Sequence, residues 1–113
     1  MGDIHKQTAQ RRAYTMTKTE IYNKMKQAYY QLDIEAVEAR IFALQCNYIK
    51  DCNSFIEIAE RKEVESQGVF NAMTDILPNW VSYEIDDDTM ALVDKLCERK
   101  AELKEMEKFE EVA

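Results

Sequence analysis

From Thr17 onward, apolar residues recur at helical intervals, and almost nothing interrupts them. The segment "TKTE" has capping-box spacing: the Thr17 hydroxyl can accept from the amide near Glu20 while Glu20 reaches back. Behind it, Ile21, Met25, Ala28, Tyr29 and Leu32 fall on one helical face, so a first helix is expected. The stripe loses phase at Leu32-Asp33. Asp33 is read as a new N-cap, with Glu35 and Glu38 near the positive end of a second helix.

That second helix carries the clearest pattern. Between Ile34 and about Gln67 there is no glycine or proline, and apolar residues repeat by seven. Ile34, Ile41, Tyr48 and Phe55 make one row. Val37, Leu44 and Ile58 make another, interrupted by Asp51, and Phe42, Ile49 and Ile56 a third. Adjoining strips predict a helix touched on two sides. At about 1.5 Å per residue it would be roughly 50 Å long, more than one small domain needs. A homodimer through this helix is therefore expected, with Ile34, Val37, Ile41, Phe42, Leu44, Tyr48, Ile49, Phe55 and Ile56 at its interface.

Gly68 is placed to close that helix in a left-handed cap. "VFNAMTDILP" reads as a short third helix stopped by Pro78. In "WVSYEI", Val81, Tyr83 and Ile85 alternate with polar residues. With no partner strand in sight, this predicts an extended connector whose Trp80 and Tyr83 plug the bundle end; pairing with another copy's edge is the alternative. A last helix is expected from about Thr89 to Glu111, with Leu92, Leu96, Leu103 and Met106 on one face, Arg99 among them, and an end that frays after Met106.

The fold expected is an all-α antiparallel bundle on one long central helix, with coiled-coil-like packing. Residues 1–16 form a flexible or docked basic arm, and 17–113 a single helical domain. Composition agrees. The 113 residues include two glycines and one proline, too few for the turns of a β-sandwich. Uncharged runs reach only nine residues, as in Ile41–Ile49, too short to span a membrane. The N-terminal "MGDIHKQTAQRR" lacks the apolar region of a signal peptide. Cys46, Cys52 and Cys97 are odd in number and lack CxxC spacing, so they read as buried free thiols in a reducing, cytoplasmic setting.

The net charge of −7 is unevenly spread: residues 1–31 sum to +4 and residues 32–113 to −11. An acidic body of this kind repels phosphates and disfavours nucleic acid as a partner.

Candidate chemistry is sparse. Asp86, Asp87 and Asp88 fill only the first and third positions of a calcium loop; the fifth, sixth and twelfth would be Met90, Ala91 and Cys97. They read as the start of a helix, with Asp88 as its cap. His5 is the sole histidine and lies in the arm, which leaves no Cys–His pair, no Glu-x-x-His and no zinc cluster. No catalytic residue, metal or cofactor is expected.

What remains is surface. Asp94, Glu98, Glu102 and Glu105 line the last helix opposite its leucines, and Lys100, Lys104 and Lys108 form a separate strip. Such carboxylates suit a partner protein with a basic surface and can imitate the phosphate row of DNA, as phage or mobile-element inhibitors would. The expectation is a non-catalytic protein that regulates or inhibits a partner. The alternative is a small nucleic-acid- or nucleotide-binding regulator that uses Arg11, Arg12 and Lys18, with Tyr14 beside them.

Overall fold

A computed structural model describes residues 16–112, with side chains for residues 16–108. The basic arm, with Arg11, Arg12 and Tyr14, lies outside the described residues. The rest is an all-α bundle of three long helices: α1 (Lys18–Gln45), α2 (Ile49–Ile76) and α3 (Asp87–Val112). One 3-10 turn, Trp80–Ser82, lies between α2 and α3. No helix among the described residues is long and apolar enough to cross a membrane.

The first helix starts where its capping box falls, with the Glu20 amide donating to Thr17 Oγ1 at 3.1 Å. It does not stop at Asp33. The Asp33 carboxylate faces α2 and accepts a 2.6 Å hydrogen bond from Ser66 Oγ. The lost phase in the sequence therefore marks a polar pair within a helix interface and not a helix start. The break comes at Cys46–Tyr48, where Cys46 (φ −73°, ψ 143°) and Tyr48 (φ −112°, ψ 127°) are both extended. The single long helix expected over 34–67 is thus two helices folded back on each other. Asn47 is the one turn-forming residue at the bend, which neither glycine nor proline announces.

Gly68 does not end α2 either. No described glycine has a positive φ, and a Cβ at Gly68 would meet nothing within 4 Å. The helix carries on because Met73 and Leu77, beyond the glycine, are buried against Tyr22 of α1. Consequently "VFNAMTDI" is the last part of α2 and not a separate helix.

The central helix is α1. It packs against both α2 and α3, which barely touch one another. Two heptad seams share its surface, offset by one residue. Tyr22, Lys26, Tyr29, Asp33, Ala36, Arg40 and Ala43 are spaced 4-3-4-3-4-3 and look toward α2, as pairings with Met73, Phe70, Ser66 and Glu63 show. Tyr30, Ile34, Val37 and Ile41 look toward α3, where Leu92, Leu96, Leu103 and Met106 receive them. This is the packing of coiled coils. The antiparallel α1–α2 interface is lined by small residues: Ala36, Ala39, Ala43 and Ala59 are all buried, and the small side chains permit close helix approach. The chain then crosses back along the connector, so α3 runs antiparallel to α2 and alongside α1 in the same direction.

The connector closes the bundle end as expected, through an aromatic cluster. Tyr22 stacks on Trp80 (6.4 Å between centroids) and lies 5.8 Å from Tyr83, and Phe70 meets Trp80 edge-on at 5.8 Å. The strand-like alternation is not a strand. Val81 points outward, while Tyr83 and Ile85 pack inward against the Tyr22–Met73–Leu77 core. Asn23, itself buried, then clamps the connector to α1. Its Nδ2 donates to the carbonyls of Thr19 (2.9 Å) and Glu84 (3.0 Å), and its Oδ1 accepts from the Asp86 amide (2.8 Å).

Two outcomes are expected in urea unfolding. Asn23→Ala leaves the Glu84 carbonyl and Asp86 amide without that partner and should cost about 2 kcal/mol. Gly68→Ala should raise stability by about 0.5–1 kcal/mol, because an exposed helix interior prefers alanine. A loss there would restore the left-handed cap.

Candidate interaction surfaces

The three aspartates resolve into one cap and two dipole-facing carboxylates. Thr89 N–H donates to Asp86 Oδ1 at 2.8 Å, making Asp86 the N-cap of α3, a role expected of Asp88. Hydrogen bonds from the Thr89 side chain and amide, with smaller help from Gln27 and Lys24, hold the Asp86 carboxyl below the usual carboxylate range. Asp87 and Asp88 lie in the first turn, where the helix dipole favours negative charge. Thr89 is fully buried, and its hydroxyl accepts from Gln27 Nε2 at 3.1 Å, tying the cap to α1. Among the described residues, no three His, Cys, Asp or Glu side chains come together as metal ligands.

The carboxylate strip is exposed along α3, but its four members differ. Glu102 pairs with Arg99 at 2.9 Å, and the same guanidinium lies 4.0 Å from Glu38 of α1. Glu105 pairs with Lys108 at 3.1 Å. Asp94 and Glu98 have no ion-pair partner among the described side chains, so they offer the least neutralised charge of the strip.

The nine residues expected at a dimer interface separate into two groups. Ile34, Val37 and Ile41 are buried in the chain's own α1–α3 seam, at 0%, 9% and 5% exposure. They are unavailable to a second copy while α3 is in place. The other six, Phe42, Leu44, Tyr48, Ile49, Phe55 and Ile56, gather at the α1–α2 hairpin tip. Phe42 and Phe55 touch there, with centroids 5.7 Å apart. Tyr48 and Ile49 are 73% and 80% exposed, and Phe42, Ile56 and Ile58 are exposed farther along the hairpin. One open cleft at the tip is lined by Glu35, Glu38, Ala39, Phe42, Phe55 and Ile58. A second cleft runs between α1 and α3 and brings Phe42 together with Glu102 and Arg99. The apolar tip and the acidic helix therefore share an edge.

Other sequence readings shift. Lys18 opens α1 and is exposed, whereas Lys26, counted among the same basic charges, is buried. Its Nζ lies 4.9 Å from the Trp80 ring, 5.1 Å from Tyr30, 5.6 Å from Tyr29 and 5.9 Å from Tyr22, and donates to Tyr30 Oη at 3.3 Å. Tyrosines flanking a lysine at i±4 and i+3 were the available signal for this cage. The cysteines are not buried as expected: Cys46 and Cys52 are half-exposed at the tip, and Cys97 is exposed on α3.

The cap assignment is tested by substitution and pH. Asp86→Ala should lower the melting temperature by several degrees, whereas Asp86→Asn and Asp88→Ala should change it little. A carboxyl with a depressed folded pKa contributes fully above its unfolded value and loses that contribution as pH falls through the folded one. The wild type should therefore lose part of its margin over Asp86→Ala as pH falls below about 4, as thermal melts would show. No protein-family model matches this chain, and no curated protein or solved structure is recognisably similar to it.

Proposed function

We propose that this chain is a non-catalytic cytoplasmic interaction protein that regulates or inhibits a partner protein bearing a basic surface. The observation that carries this reading is the shared cleft of Phe42 and Glu102, which joins the exposed hairpin tip to the acidic face of α3. Interfaces draw affinity from a desolvated apolar centre and draw encounter rate and orientation from the charged rim. The tip supplies the first, with Tyr48 and Ile49 as its most exposed apolar side chains. The strip supplies the second, with Asp94 and Glu98 free to meet cations of the partner. Of the net −7, the α3 segment contributes −4, with nine acidic against five basic residues in Asp87–Val112.

With Ile34, Val37 and Ile41 committed to the core, a homodimer would use the same tip. Self-association and partner docking would then compete for one surface.

Affinity capture of the full chain from lysate, followed by calorimetry with the identified partner, tests the proposal. Asp94→Lys with Glu98→Lys should retain the helical circular dichroism and weaken binding about tenfold, equivalent to about 1.4 kcal/mol. The effect should shrink as salt rises. Tyr48→Ser with Ile49→Ser should weaken binding without that salt dependence. Full binding by both double variants, with loss on removal of residues 1–15, would overturn the reading and transfer function to the arm.

A further inference from the structure

The α1–α2 turn holds two thiols that its packing does not require. Cys46 caps α1, and Cys52 lies in the first turn of α2, with only Cys46, Asn47 and Tyr48 between the helices. The Cys52 thiol donates to the Cys46 carbonyl oxygen at 3.5 Å, which folds its sulfur back over the residue that carries the other thiol. Both side chains are half-exposed, so small molecules can approach them. Cys46 and Tyr48 stand outside the regular helices with extended backbones, and each makes one terminal hydrogen bond, the Cys46 amide to Phe42 and the Tyr48 carbonyl from Cys52.

We propose that Cys46 and Cys52 form a dithiol modification site, at which a two-electron oxidant of the peroxide or low-molecular-weight disulfide class joins them in an intrachain disulfide. With hydrogen peroxide, one thiolate displaces hydroxide from a peroxide oxygen and becomes a sulfenic acid. The second sulfur attacks the first, forming the S–S bond and expelling the sulfenic oxygen as water. Two thiols and one peroxide give one disulfide and two waters; each sulfur loses one electron and the peroxide gains two. With a low-molecular-weight disulfide, the same bond forms through a mixed disulfide and releases two thiols.

Burial, the neighbouring Cys52 and Asp51 push the Cys46 thiol up, which lowers its thiolate fraction and slows its attack on oxidants. Once formed, the bond would hold the turn that displays Tyr48 and Ile49. The proposal does not depend on what that tip binds, because its readout is covalent.

The test uses the full chain, reduced and then freed of reductant, with oxidised glutathione and hydrogen peroxide as separate probes. The expected product is a monomer lighter by two hydrogens, with one free thiol of the original three and a cross-linked peptide joining Cys46 to Cys52. Cys97→Ser should give the same cross-link, and Cys46→Ser or Cys52→Ser should abolish it. Phenylarsine oxide, which needs two converging thiols, should bind one-to-one to Cys97→Ser and not to Cys46→Ser. Three free thiols after oxidation, persistent single glutathione adducts at Cys46 and Cys52, or a cross-link that runs through Cys97 would each overturn the proposal.

Discussion

Everything in this fold rests on α1 serving two neighbours at once. A helix that faces one partner needs a single apolar stripe, with the rest of its surface free for solvent. Here the positions from Tyr22 to Ala43 and those from Tyr30 to Ile41 are two heptad seams displaced by one residue, so much of the circumference is committed. The α2 side is lined with tyrosines, alanines and polar groups, and the α3 side with branched aliphatics. The two seams are therefore not interchangeable, and each helix has a distinct surface to recognise.

The polar residues in these interfaces set register more than they add stability. Asp33 must meet Ser66, and Asn23 must meet the backbone at Glu84 and Asp86. A slide of either helix by one turn would bury those groups without partners, which costs more than the correct pairing gains. Lys26 behaves similarly. Its cation is held over four rings in place of a carboxylate, which ties the connector's Trp80 to α1.

The class of fold was legible because periodicity and the scarcity of breakers are local signals. The last helix and the closing role of Trp80 and Tyr83 were legible for the same reason. Boundaries failed where tertiary contacts outweighed local chemistry. Asp33 resembles an N-cap until Ser66 is seen across from it, and Gly68 resembles a stop until Met73 and Leu77 are seen holding the helix beyond it. The turn at Cys46–Tyr48 was hidden because the seven-residue spacing runs through it undisturbed: Ile41 and Phe55 keep their interval although they lie on different helices. Of the interface residues expected from those rows, the six near the turn came together at the tip. The three farther back were claimed by α3, whose packing partner no periodicity can name.

The sparse contact between α2 and α3 has a consequence for how the molecule opens. Each outer helix is fastened to the same spine but not to the other, so either can peel away while the opposite interface survives. The α3 helix is pinned at its start by Asn23, Gln27 and the Asp86 cap, and its far end is held to α1 by Leu103 and Met106. Its detachment should begin at the C-terminus and travel back toward the clamp, uncovering Ile41, Val37 and Ile34 in that order. The chain thus stores a graded apolar strip beneath a removable cover.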